Sequence, residues 1–172
     1  MPLKTPVTVW TSDAQAQAVG EQLLSGTLPR EAWTHAAHLT ATTYLMTCRP
    51  DLDVERELPG IIQAYNRVSG GPETSLRGYH ETLTQFYMRA IRHFLSRLDP
   101  DLGLAERCNA LIASPFGERN FPLTFYSRER LYSAEAKRRF IEPDLRALDF
   151  GDIPTGLAAG LKLVANSSPL EA

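Results

Sequence analysis

The chain is poor in cysteine: its 172 residues include only Cys48 and Cys108, and neither belongs to a C-x-x-C pair or to a disulfide framework spacing. The simplest expectation is two reduced core thiols in a cytoplasmic protein. No sign of charge is in excess, because 18 basic against 20 acidic residues give a formal net charge of −2. That balance argues against a nucleic-acid partner. The densest basic stretch, SRERLYSAEAKRRFIEPDLR, interleaves Arg and Lys with Glu and Asp, as a solvated helical face does. No hydrophobic run approaches the ~20 residues of a membrane span, and no apolar signal core follows the first lysine. The chain also lacks HExxH, G-x-S-x-G, a P-loop and a glycine fingerprint behind a strand, so zincin, serine hydrolase and nucleotide-binding chemistries are without their signatures. The Glu-x-x-His pairs of a di-iron bundle are missing too, since Ala32, His35, Arg77 and Ala90 stand three positions before the four histidines.

What is present suits one globular domain over residues 1–172: 43% of the residues are hydrophobic and 22% charged. A chain of this size buries roughly 70% of its unfolded surface, so it needs neither a disulfide nor a metal to fold. Any metal would serve binding or chemistry. The pattern is helical almost throughout. Ser12 followed by Gln15 opens a first helix that Gly26 and Pro29 end. Residues 30–49 contain no breaker and are apolar on most faces, which predicts a central helix stopped by Pro50. A third helix is expected from near Leu58 to Gly70, with Pro59 in its first turn and DLDVERE ahead of it as a separate turn. Residues 78–98 place Tyr79, Leu83, Phe86, Ile91 and Phe94 at helical spacing. LAERCNALIASP and SAEAKRRFIEP make two more short helices, while only VTVW and FPLTFY look β-like. The expected fold is therefore an all-α bundle of about six helices, the second and fourth packed at its centre, with 151–172 as an extended or mobile tail.

Within WTHAAHL, His35 and His38 share one face of the central helix, with Glu31 one turn before and Thr42 one turn after. Two adjacent imidazoles among apolar residues need partners, a shared metal, or to stay neutral. His80, beside the apolar face of the fourth helix, is the third imidazole that would complete an open metal site. The bland alternatives are a pair of satisfied polar residues for His35 and His38, and for His80 a helix-start histidine bonded to a carbonyl. Glu81 is equally a first-turn carboxylate favoured by the helix dipole. His93 projects elsewhere, among arginines, and is left out of the site.

The segments WTHAAHL, GYHETLT and FYSRERLYSAEAKRRFIEPDL together resemble a family of small bacterial helical proteins to which we attach no activity. The resemblance spans roughly residues 30–148 and is carried by Trp33 to Leu39, Tyr79 to Thr82 and Tyr126 to Leu145. It implies that the three histidines belong to the shared segments whereas His93 does not, and that Tyr126, Ser127 and Arg128 belong with the same site. Tyr79, Tyr126 and Arg128 would then contact a bound group.

The leading expectation is a metal-dependent enzyme, such as a mononuclear hydrolase, acting on a small polar molecule. His35, His38 and His80 would hold the metal, zinc first and nickel, iron or manganese next, with Glu81 or Glu31 moving the proton. The rival is a metal-free helical module that binds a small ligand or a partner subunit, a second copy included, with the histidines and Tyr79, Tyr87 and Tyr126 lining a polar pocket. In a third reading the polar residues only specify one packing.

Overall fold

The computed structural model describes residues 9–155 apart from residue 76, and within them the chain is all-α. Seven α-helices follow in order: α1 (Asp13–Ser25), α2 (His35–Cys48), α3 (Val54–Ser69), α4 (Glu81–Ser96), α5 (Leu104–Ala113), α6 (Arg128–Leu131) and α7 (Ala134–Arg138). No strand occurs among the described residues. FPLTFY forms a 3₁₀ turn at Phe121–Thr124, and the backbone amides of Val9 and Trp10 bond to Asn109 Oδ1 rather than to another strand. Most of the predicted 151–172 tail, and the start of VTVW, lie outside the described residues.

Helix α2 packs against α1, α3, α4 and α5, and α4 packs in turn against α3, α5 and α7. The two are neighbours at the centre, as their apolar sequences predict. Every residue from Leu39 to Leu45 is buried, so α2 needs no amphipathic stripe. Its threonines survive burial because each hydroxyl finds a partner. Thr42 and Thr43 donate to the carbonyls of His38 and Leu39, at 2.9 and 2.8 Å, and Thr40 Oγ1 accepts from Trp10 Nε1 at 2.8 Å.

The helix starts differ from the sequence expectation, for reasons of capping. Residues 30–32 form a 3₁₀ turn, Trp33 leaves helical geometry, and Thr34 caps α2 by accepting from Ala37 N at 3.2 Å. Glu31 therefore does not continue the polar line of His35 and His38. Helix α3 starts at Val54, with Asp53 accepting from Arg56 N while Glu57 Oε1 accepts from Asp53 N at 2.9 Å. This reciprocal cap draws DLDVERE into the helix and leaves Pro59 inside it rather than in the first turn. His80 is the N-cap of α4, not part of the helix.

The larger core is aromatic: six of the seven phenylalanines, Phe86, Phe94, Phe116, Phe121, Phe125 and Phe150, belong to one buried cluster. Their neighbouring ring centroids lie 4.9–6.1 Å apart, and each buried ring is worth ~1.5–3 kcal/mol. This cluster anchors irregular chain after α7, because Phe150 inserts into it while Leu145 N bonds to Phe125 O at 2.9 Å. His93 packs here as well. Its ring lies parallel to Phe116 at 5.9 Å and beside Phe150, so it is half-buried on an aromatic surface rather than solvated among arginines. The two cysteines are free thiols, but only Cys108 is a core residue; Cys48, at the end of α2, is exposed.

Candidate functional site

A cavity of about 570 Å³ opens between α2, α3, α4 and the 119–120 loop. His35, His38 and His80 all line it, so the three histidines singled out in the sequence meet one space. Leu39, Leu58, Ile62, Leu83 and Ile91 give it an apolar floor. Its polar wall comes from Thr42, Thr84, Asn66, Asn120 and the tyrosines 79, 87 and 132, and Arg30 and Arg119 supply charge. Among the described residues no carboxylate lines it.

The three imidazoles have different duties. His80 Nδ1 accepts from Leu83 N at 3.2 Å, so Nε2 carries the proton and donates to Leu131 O at 3.0 Å. Both ring nitrogens are thus engaged with backbone, in capping α4 and clamping it to α6. The helix-start histidine bonded to a carbonyl describes this residue. His35 Nε2 lies 2.9 Å from Gly117 O and must donate to it, which leaves Nδ1 as the free acceptor. Its ring also meets Tyr87 edge-on at 5.4 Å, and the Tyr87 hydroxyl donates to Glu118 O at 2.7 Å. Together these bonds fix the 117–119 loop against α2 and α4.

His38 is the unspent imidazole. It stacks on Trp33 with centroids 3.6 Å apart and planes at 24°, and no described residue bonds to its ring nitrogens. Burial pushes its pKa down to about 3, helped by His35 and Arg119. Burial also lowers the pKa of His35, against the raising effect of its bond to Gly117, with Arg119 contributing. Burial is again the main cause of the lowered His80 pKa. All three rings are therefore neutral at pH 7. A base held near 3 is a weak proton acceptor at neutral pH, so His38 suits hydrogen bonding to a ligand better than proton abstraction.

The other predicted site residues lie elsewhere. Glu81 accepts from the Tyr79 hydroxyl and, at 2.9 Å, from Gln85 Nε2, and it faces a neighbouring cavity. Glu31 is exposed in the 3₁₀ turn, off the cavity wall. Tyr79 does line the cavity, with its phenol pKa raised by burial first and then by Glu81. Tyr126 is fully buried in the aromatic core, where its hydroxyl donates to Ile141 O at 2.8 Å. Arg128 is exposed, its guanidinium 5.7 Å from the Tyr132 ring centroid.

The segments that carry the family resemblance interlock. Ser127 donates from both its amide and its hydroxyl to Asp144, at 2.7 and 2.6 Å, and Arg130 Nε donates to Glu142 O at 2.6 Å. Thr82 Oγ1 donates to Arg139 O at 2.9 Å and accepts from Ile141 N at 3.3 Å. Tyr-His-x-Thr and Tyr-Ser…Pro-Asp-Leu thus form one clasp between the start of α4 and the chain around α6 and α7. Ser127 and Arg128 belong to that clasp and not to the cavity.

Arg119, Asn120 and Asn66 were not anticipated. The only local signal for the first two is the polar Glu-Arg-Asn run between Gly117 and Phe121, in an otherwise apolar segment. Among the described residues no group of three or more His, Cys, Asp or Glu side chains is placed to hold a metal ion, and no helix is long and apolar enough to cross a membrane. No known family, curated protein or solved structure matches the chain.

Proposed function

We propose that the protein binds a small organic anion with an apolar body in the three-histidine cavity. The observation that carries this reading is the charge of the wall: two arginines, neutral imidazoles and no carboxylate among its described lining residues. Arg119, whose charge adds to burial in lowering the pKa of His35 and His38, disfavours a cation in this space and favours an anion. Helix α2 lines the cavity with His35, His38, Leu39 and Thr42 and α4 with Leu83, Thr84, Tyr87 and Ile91, so the first turns of both, at the positive ends of their dipoles, border it. The Arg119 carbonyl accepts from the Tyr87 hydroxyl at 3.3 Å, but its exposed guanidinium has no hydrogen-bond or ion-pair partner among the described residues and can take a carboxylate or phosphate oxygen. The one ring N–H of neutral His38 can donate to the anion, and the leucine and isoleucine floor holds its body.

A thermal-shift comparison of octanoate with octylamine tests the sign of the charge. Octanoate at ten times its Kd should stabilise the protein by about 1.4 kcal/mol, a Tm rise of roughly 3–6 °C. Octylamine should give none, and Arg119→Ala should erase the octanoate response. Equal stabilisation by the amine would overturn the reading. The metal-dependent enzyme is distinguished by elemental analysis of untagged protein: it requires stoichiometric metal lost in His35→Ala and His38→Ala, whereas anion binding survives chelation.

A further inference from the structure

A second cavity, of about 470 Å³, adjoins the first and shares Asn66 and Tyr79 with it as wall residues. It lies between α3 and α7, where Arg67, Arg138 and Lys137 face Glu73 and Glu81, an excess of one positive charge. The two carboxylates are already engaged. Glu73 is paired with Lys137 at 2.6 Å and also accepts from Tyr79 N at 3.1 Å. Glu81 accepts from Tyr79 and Gln85 through its two oxygens. Arg67 and Arg138 stand differently: neither guanidinium has a hydrogen-bond or ion-pair partner among the described residues. Arg67 sits one residue after Asn66, in the last turns of α3, and Arg138 ends α7.

From this juxtaposition we infer that the ligand is an elongated dianion spanning both cavities, one acidic group at Arg119 and the other between Arg67 and Arg138. The inference rests on the anion-binding reading of the first cavity and adds the second charge and the length. In this arrangement the ligand's apolar chain lies along Leu58, Ile62 and Leu83 of the first cavity and reaches the second beside Asn66 and Tyr79, which line both. Two free guanidiniums suit a carboxylate or a phosphate equally, each offering paired N–H donors to two oxygens. A chain with an acid at only one end would leave this second pair of arginines without a partner.

Titration calorimetry with suberate and octanoate, which share a carbon count and differ by one carboxylate, separates the two ideas. Suberate is expected to bind at least about tenfold more tightly, the value of one added charge-assisted contact. In Arg67→Ala/Arg138→Ala, both exposed positions, suberate should fall to the affinity of octanoate while octanoate is unchanged; Arg119→Ala should weaken both. Alkyl phosphate in place of either acid distinguishes carboxylate from phosphate recognition at each end. If octanoate binds and suberate binds no better, or if the double variant leaves their ratio intact, the dianion inference fails and the first reading stands. If neither acid nor alkyl phosphate binds, both fail.

Discussion

His80→Ala removes two backbone bonds at once, and their cost can be worked from the contacts. Losing the Nδ1 acceptor for Leu83 N strips α4 of its side-chain cap, worth ~1 kcal/mol. Losing Nε2 leaves Leu131 O without its donor in a partly buried position, a further ~1–3 kcal/mol. The expected destabilisation is ~2–4 kcal/mol, a large share of the ~5–15 kcal/mol of a domain. His80→Asn separates the two losses, because Asn is a good N-cap that is too short to reach Leu131, and should recover ~1 kcal/mol. Urea denaturation followed by circular dichroism measures both. A histidine that served chiefly as a metal ligand would leave metal-free stability almost unchanged in either variant. A cost below about 0.5 kcal/mol for His80→Ala, or no difference between Ala and Asn, would refute the capping argument.

Acid should destabilise the protein through His38. Its folded pKa of about 3 lies below the ordinary 6.5, so its contribution is complete above pH 6.5 and is lost as pH falls towards 3. By pH 5 the loss is ~2 kcal/mol; His38→Gln should remove about that much of the difference between urea midpoints at pH 7.5 and 5, and an unchanged difference would count against it. Gly20→Ala should destabilise despite the ~1 kcal/mol gained in helix propensity, because a Cβ there would lie 2.1 Å from Tyr44 Cδ1. Overpacking of this kind costs ~1–3 kcal/mol, so a rise in Tm would show that the Tyr44 ring yields freely.

Helix identity was legible because it depends on local signals: the unbroken apolar stretch of α2, the spacing of Phe86, Ile91 and Phe94 in α4, and Ser12 with Gln15 at α1. Helix starts were less so. Thr34 caps α2 amid several other threonines, and His80 is an uncommon capping residue, so in each case the apolar pattern ran past the true start. The site was legible in part for the same reason. His35 and His38 are neighbours by helical spacing, and His80 shares their cavity because α2 and α4 pack together. Arg119 could not be found from spacing, since it comes to the cavity on a loop held by long-range bonds from His35 and Tyr87. Tyr126 and Arg128 illustrate the opposite limit: their segment belongs with His80 through a backbone clasp, and a shared clasp is indistinguishable in sequence from a shared site.

The question raised by WTHAAHL is why a core helix carries two imidazoles. A core position tolerates a polar ring when the ring stays neutral and its nitrogens are bonded. His35 meets that condition by donating to Gly117 O, and in doing so it holds the loop that carries Arg119. His38 meets only half of it: Trp33 covers one face and burial keeps the ring neutral, yet its nitrogens have no partner among the described residues. Were packing its only purpose, an apolar residue of similar size would satisfy the same stack against Trp33 without the desolvation cost, so the unspent nitrogens are the part of His38 that packing does not explain. His38 lines the space where Arg119 supplies charge and the apolar floor supplies a bed, and in the proposed reading a ligand bearing both an acidic and an apolar part would complete all three at once.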